Sequence, residues 1–526
     1  MVAVAVGRAF AEVVVGRPFA GRSGVRSRLA RAGGARDPVA RRRVDVSSLG
    51  DAPPRPAPRR ARPAGRKPFG DPRTGGQRPM TVPDVTVVIA VYNTMPYLTA
   101  CLDSLVRQTV GHARMEVVAV DDGSTDGGGE LLDRYAARHP GLFHVVHQSN
   151  SGGPAAPTNR GLALARGRYV LFLGADDWLG DEALERMVTS ADGWQSDVLI
   201  PKQVGVNGRL VPQGIFDTTA ASVGFEDSAL AWALADTKLF RLDLIRRYDL
   251  VRQEELKVYS DQPFTLAACL RARRISVLAD YDHYFLVLRE DRGNVTQRAG
   301  ALDRIRGVAA VQRVAAELAA PGGQLDAIKA RHFGWEVPQL LRADLLTLDA
   351  AQRDEVCAGV GELVRRFDAR AVYHRLAVPD RVRLELAVTG QYEALRELIG
   401  YEAEHGAPPV VAETGADAVR RRYAGYPGFR DGAVGLADEL FLLGEERSAE
   451  RPEEGPAGKP AGEPAAGGGD PGPAVGGDPG PPPPTLVQQL WRGAVPAQVR
   501  RRLRRHPAWA RLADAVAAGG AKGGGR

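Results

Sequence analysis

Cysteine, aromatic residues and long apolar runs are all scarce in this chain of 526 residues. Its three cysteines, Cys101, Cys269 and Cys357, stand far apart and form no CxxC pair. Cys101 falls on a helical apolar face and Cys269 in an Ala/Leu-rich stretch, so both read as small core hydrophobes, which fits a reducing cytoplasm. No window reaches the roughly 18 uninterrupted apolar residues of a membrane-spanning helix. The opening MVAVAVGRAFAEVVVGRPFAG has its apolar run broken by Arg8 and Glu12 and no charged segment ahead of it, so it is not read as a signal peptide. Also missing are a GxGxxG after the first strand, a GxxxxGK[ST] loop and a GxSxG elbow. These gaps disfavour a dinucleotide-dependent oxidoreductase, a P-loop NTPase and an α/β-hydrolase. The nine histidines show no HExxH spacing.

Apolar residues at 44% and charged residues at 25% are ordinary for a globular protein. The net charge of +7 is unevenly placed. Residues 1–80 hold 18 Lys+Arg against 5 Asp+Glu, a balance of +13, which leaves −6 for everything after Met80. A mildly acidic body with basic ends gives no reason to expect a nucleic-acid partner.

Residues 1–80 are rich in Arg, Ala, Pro and Gly without sustained periodicity and are expected to be disordered. A second reading places the true start at Met80, directly before the first strand. From Thr81 the pattern changes. Val85–Val91 and Glu116–Val120 are nearly continuous apolar runs, as in strands covered on both faces; His144–Val146 and Tyr169–Leu173 follow, with helical segments between. This alternation predicts an α/β fold with a doubly wound, mostly parallel sheet over residues 81–300. After about residue 300 the strands stop. Leu302, Ile305, Val308, Val311, Ala315 and Leu318 recur every three or four positions, so 301–446 is expected to be a helical lobe. Residues 447–485 form a Pro/Gly-rich linker. The basic tail 486–526 carries Trp491 and Trp509 among its arginines; resting on an anionic membrane surface, staying solvated and docking on another subunit are all open to it.

Ligands of an open parallel sheet bind beyond the carboxyl ends of its strands. Polar residues gather there: Tyr92-Asn93, then Asp121-Asp122-Gly123-Ser124, then Asn150-Ser151-Gly152-Gly153, then Gly174-Ala175-Asp176-Asp177. Two acidic pairs facing one crevice repel each other unless something positive sits between them. Hard oxygen ligands call for Mg²⁺ or Mn²⁺, which would also neutralise the diphosphate of a nucleotide donor. A turn or helix cap is the plainer role for any single Asp pair.

In order, VTVVIAVYN, VVAVDDGSTD, NSGGP…NRGLALARG, YVLFLGADDW and YSDQPF resemble a family 2 inverting glycosyltransferase of GT-A fold over roughly residues 83–290. The stretches NSGGPAAPTNRGLALARG, KQVGVNGRLVPQGIF and SDQPFTLAACLRARRISVLAD are similar to wall teichoic acid glycosyltransferases, which decorate poly(ribitol phosphate) with N-acetylglucosamine from a UDP donor. The resemblance implies that Ala90 and Tyr92 hold the base and that Asp122 receives the uracil edge. Asn150, Gly152, Gly153 and Asn159 would line the donor pocket. Asp176 and Asp177 would stand in the metal- and ribose-binding motif, and Arg289 near the diphosphate, with Glu290, on a loop that closes over the donor. Asp261 would act as general base, with a helix N-cap as its plainer role. The chain departs from the family at Gly174, where an Asp is usual, at Ser260, where Glu is common, and at Thr158, where close relatives carry Arg. The implied partners are a UDP-sugar donor and a polyol-phosphate acceptor. Capsule, exopolysaccharide and glycolipid acceptors, or a non-catalytic nucleotide-binding scaffold, stay open.

Overall fold

The computed structural model describes residues 82–447 except 292, 294–298, 418 and 431–433. The basic N-terminal segment, the Pro/Gly linker and the basic tail expected from the sequence therefore lie outside the described residues. The apolar runs become the strands they predict. β1 (Val85–Val91) and β2 (Met115–Asp121) are buried almost throughout and pair in parallel. β3 (Phe143–His147) extends the sheet beyond β2, and β4 (Tyr169–Phe172) flanks β1 on the other side, both parallel. The sheet continues through β8 (Leu239–Arg241), antiparallel to both of its neighbours, then β6 (Val198–Pro201) and β9 (Ile275–Leu278), giving seven strands in the order β3-β2-β1-β4-β8-β6-β9. Helices α1 (Tyr97–Val106), α2 (Gly128–Arg138), α3 (Ala155–Leu164), α4 (Ala183–Trp194), α5 (Leu242–Arg247) and α6 (Asp261–Arg271) complete the α/β layers. Cys101 and Cys269 are buried in this core, as expected, and Cys357 is buried as well.

Register brings the functional strand ends to one edge. Val91 pairs with Asp121, Asp121 pairs with His147, and the Asp122 N–H donates to Val91 O at 2.8 Å. A small second sheet stands beside that edge: β10 (Tyr284–Val287) lies antiparallel to β5 (Trp178–Leu179) and parallel to β7 (Gln203–Val206). Trp178 stacks on Phe285 at 5.5 Å, which fixes β10 against the turn that carries Asp176 and Asp177.

Beyond residue 300 come α7 (Ala301–Leu318), α8 (Gly323–Arg331), α9 (Ala350–Arg366), α10 (Val378–Thr389) and α11 (Tyr392–His405). Helix α7 is shared property. Its Ile305, Val308 and Ala309 join the core of the lobe, while Val311 and Ala315 join the core under the main sheet. The lobe is not helical to its end. Val410–Thr414 (β11), Val419–Ala424 (β12) and Leu442–Arg447 (β13) make a three-stranded antiparallel sheet that the sequence reading missed. The run Arg420-Arg421-Arg422 hides the two-residue alternation that marks a strand. This sheet packs Tyr423 and Ala424 into the core of the lobe, and cross-strand charge, such as Arg421 to Glu445 at 2.9 Å, holds its outer side.

Helix α3 lies so close to the sheet that a Cβ on Gly161 would meet Val88 Cγ1 at 2.5 Å. Gly161→Val should lower the unfolding free energy by about 1–3 kcal/mol, the usual cost of overpacking a rigid core. Urea titration measures it, and an unchanged midpoint would mean that α3 can back away at no cost.

Candidate active site

Four clusters line the carboxyl edge, and each acidic group in them has its own set of donors. Asp121 is buried; its carboxylate accepts the Ser124 N–H at 2.9 Å and contacts His147 Nδ1 at 3.0 Å. Hydrogen bonds from Ser124 and His147 outweigh burial and hold this carboxyl below the usual range. Asp122 is more heavily bonded. Gln148 Nε2 donates to it at 2.6 Å, the Ser151 N–H at 3.0 Å and the Ser151 hydroxyl at 2.8 Å. Asn150 Nδ2 donates to the Asp122 carbonyl at 3.1 Å while its Oδ1 accepts the Gly152 N–H at 3.1 Å. Gly152 has φ +85°, a left-handed conformation that glycine adopts without strain, and neither it nor Gly153 has neighbours where a Cβ would stand. Asp122 and Asn150 thus shape one wall of the crevice, with the Gly152-Gly153 turn open in front of it. Tyr92, 47% exposed at the end of β1 after the partly buried Ala90, stands at the same edge.

The Gly174–Asp177 turn separates two carboxylates that the sequence had put together. Asp177 is buried, its oxygens accepting the Val287 N–H at 2.8 Å and the Tyr284 hydroxyl at 3.2 Å. Burial, then the neighbouring Asp176, pushes its carboxyl up to about 7. Of the two carboxylates expected to serve a metal, Asp177 is buried and each of its oxygens already accepts a hydrogen bond from β10. Gly174 has a steric reason, since a Cβ there would lie 2.5 Å from Asp177 Oδ2. Asp176 lies on the cleft side. Burial raises its carboxyl, and the positive fields of Arg289 and Arg209 oppose the rise. A divalent cation fits here only in one form: Asp176 as the protein ligand, with the donor's phosphate oxygens completing its shell. Among the described residues no group of three His, Cys, Asp or Glu side chains is placed to hold a metal unaided.

Arg289 leaves β10 and turns back over the crevice. Its Nη2 donates to Asn93 O at 3.2 Å, its guanidinium pairs with Asp291 at 2.7 Å, and it lies over the Tyr97 ring at 5.4 Å. The Glu290 N–H donates to Tyr97 Oη at 3.1 Å, so the stretch after β10 is tied to the start of α1.

Asp261 is the first residue of α6. Ser260 occupies the cap position without a side-chain hydrogen bond, and the helix runs one residue further at each end than the Gln262–Leu270 expected. The preceding Tyr259 has φ +58°, a strained conformation for a residue with a Cβ. Burial pushes the Asp261 carboxyl above the usual range, and the nearby cations Arg252 and Lys238 pull it back. Both cations are themselves buried, which lowers Arg252 to about 10 and Lys238 to about 8. Arg252 is ion-paired with Asp236 and stacks on Phe172 at 5.3 Å; Lys238 donates to Ala235 O. Asn159, expected to line the donor pocket, is bonded to the backbone of Arg252. Its Nδ2 donates to Arg252 O at 2.9 Å and its Oδ1 accepts the Arg252 N–H at 2.9 Å, so it clamps the Arg252 backbone from α3.

Arg209, Lys238, Arg252 and Tyr284 were missed by sequence reasoning. A lone Arg or Lys outside a motif reads as surface charge, and only the chain's return past the sheet edge reveals otherwise. Arg209 alone had a signal, since it lies in the stretch KQVGVNGRLVPQGIF.

Comparison with known proteins agrees with this arrangement. Residues 86–223 match the glycosyl transferase family 2 model, and residues 303–399 match that of the glycosyl transferase TarS linker domain. The chain carries a family 2 glycosyltransferase domain. The poly(ribitol-phosphate) beta-glucosyltransferase of Bacillus spizizenii is 39% identical to it over 206 residues, 39% of this chain and 32% of that protein. The poly(ribitol-phosphate) beta-N-acetylglucosaminyltransferase TarS of Staphylococcus aureus is 41% identical over 207 residues, 39% of this chain and 36% of that protein. The chain thus spans about a third of the length of these curated relatives. Among solved structures, S. aureus TarS 1–349 in complex with UDP-GlcNAc superposes with a TM-score of 0.56 and 29% identity, covering 65% of this chain and 98% of that one. The glycosyltransferase domain here thus has the GT-A-like sheet and a lobe after it, as in that protein.

If Asn159 serves the Arg252 clamp rather than the donor, Asn159→Ala should lower kcat by roughly tenfold, the effect of a group displaced by a fraction of an ångström. Calorimetric affinity for UDP should stay within about twofold. A parallel loss of UDP affinity would return Asn159 to the donor pocket.

Proposed function

We propose that this chain transfers a sugar, N-acetylglucosamine or glucose, from a UDP donor to a hydroxyl of a polyol-phosphate polymer, with inversion at the anomeric carbon. The observation that carries the reading is Asp261. It is a carboxylate with raised proton affinity at the head of α6, held beside two buried cations and reached through a family 2 sheet edge. The ordered pair of matches, the catalytic domain and then the TarS linker domain, supports the acceptor class. The relatives named as poly(ribitol-phosphate) transferases support it further and leave the sugar open between glucose and N-acetylglucosamine.

In the proposed reaction the nucleoside rests against Tyr92 and the Asp122–Gly153 wall. The diphosphate lies toward Asp176, between Arg209 and Arg289. The acceptor hydroxyl gives its proton to Asp261 while its oxygen bonds to C1 of the sugar. The C1–O bond to the β-phosphate breaks, and its electron pair leaves on UDP. A carboxyl pushed upward by burial is a stronger base than a free aspartate, which suits it to deprotonating an alcohol. Arg252 and Lys238 oppose that rise and favour its ionised form. Arg209 and Arg289 meet the negative charge that grows on the leaving diphosphate. A divalent cation held by Asp176 and the phosphates would supply further charge neutralisation.

Asp261→Asn should reduce turnover by at least about a hundredfold while UDP affinity stays nearly intact, as expected for a general base. A fully active Asp261→Asn enzyme would sink the assignment. Because the Asp261 carboxyl is raised, activity in wild type should be lost on acidification before the ordinary carboxylate range is reached. The acid limb of the kcat/KM profile measures this.

UDP release from UDP-GlcNAc and UDP-glucose, with poly(ribitol phosphate) present and with Mn²⁺ added or chelated by EDTA, tests donor, acceptor and metal together. Turnover is expected to fall on chelation and recover with Mn²⁺. Release that ignores both metal and polymer would favour a nucleotide-binding scaffold.

A further inference from the structure

Among the described residues the only two tryptophans counted as exposed large hydrophobics touch each other, although they belong to different halves of the molecule. Trp232, 42% exposed, comes from the segment that leads into β8; Trp335, 49% exposed, comes from the turn after α8. Their rings meet edge to face at 6.1 Å. Trp232 lines a cleft of about 340 Å³ where the catalytic domain meets the lobe, with Ser228, Arg331, Gly334 and Arg375 also on its walls; Trp335 follows Gly334 and packs on Trp232 at its border. Exposing indole rings is costly unless something covers them, and two at one place mark a binding surface.

The chemistry of the walls says what covers them. Arg331 lies over the Trp232 ring at 4.6 Å and is ion-paired with Glu336, but its buried Nε has no hydrogen-bond partner within the protein. Arg375 is 39% exposed, and its ion pair with Asp326 sits at the outer limit, 4.0 Å. The carboxylate on the wall, Asp380, is matched by Arg383 at 3.2 Å. Flat apolar rings beside guanidinium donors suit a chain that alternates carbon-rich polyol faces with phosphodiesters.

Each wall of the cleft is linked to Asp261 through a short chain of buried contacts. Arg331 is followed by His332, whose Nε2 lies 3.1 Å from Gln262 Oε1, and Gln262 follows Asp261. On the other wall, the Trp232 segment continues to Asp236, the partner of Arg252 beside Asp261. We propose that this cleft is a second acceptor subsite, which holds polyol-phosphate units of the polymer beyond the unit being glycosylated. The proposal rests on the acceptor reading given above.

The test compares a single-unit ribitol phosphate acceptor with a long poly(ribitol phosphate). Trp335→Ala and Arg375→Gln, both at exposed positions, should each raise KM for the long polymer by roughly fivefold or more, the loss expected for one aromatic or charge-assisted contact. KM for the single-unit acceptor and the rate of UDP-GlcNAc hydrolysis without acceptor should not change. Trp335→Phe, which keeps an aromatic ring, should behave as wild type. An unchanged polymer KM in both variants overturns the subsite, and so does an equal rise for the single-unit acceptor. A wild-type protein that hydrolyses UDP-GlcNAc but glycosylates neither acceptor overturns the acceptor reading and the subsite with it, whereas transfer to both with unaffected variants overturns the subsite alone.

Discussion

A carboxylate taken out of water must be given donors or a counter-charge, and the surroundings of this cleft follow from that demand. Asp122 is matched by Gln148 and Ser151, Asp177 by Tyr284 and the Val287 amide, and Asp261 by Arg252 and Lys238. The second sheet exists at this edge largely to bring β10 to Asp177. The Arg252 segment is pinned by Asn159 because an arginine facing Asp261 has to be held in place. The acidic groups thus add to the strand pairing with β5 and β7 that places β10.

The same demand separates two aspartates that are neighbours in sequence. Asp177 turns inward, where its oxygens organise the turn, and Asp176 stays at the mouth within the fields of Arg209 and Arg289. Gly174 is part of this division of labour, because any larger residue would collide with the inward carboxylate. The absence of an acid at that position thus has a steric reason in the packing of Asp177.

Much of the fold could be read from the chain alone. Val85–Val91 and Met115–Asp121 are buried on both faces, and continuous apolar runs announce such strands without help from their neighbours. The strand-end clusters could also be read, since polar residues following those runs have one edge of the sheet to go to. What could not be read depends on contacts distant in sequence. Tyr284 reaches Asp177 across 107 positions, and nothing local to Tyr284 records that. Arg252 and Lys238 look like surface charge until the 230–260 segment folds back over the sheet. The β11–β13 sheet escaped because its arginine run masks alternation, and the Asn159 contact to the Arg252 backbone was not legible because a motif position says which residue is present, not which backbone it holds.

Helix α7 has a further consequence. Val311 and Ala315 plug the core beneath the main sheet, while Ile305, Val308 and Ala309 seal the lobe a few residues earlier. Gly307 lies on the same helix, between Ile305 and Val308, where any Cβ would meet the Tyr259 ring at 2.7 Å, directly upstream of Ser260 and Asp261. A cut at residue 300 would therefore leave an apolar slot under the main sheet and remove the glycine against which the strained Tyr259 packs. The lobe is no detachable cassette: the helix on which the linker-domain match begins is also part of the core of the preceding domain.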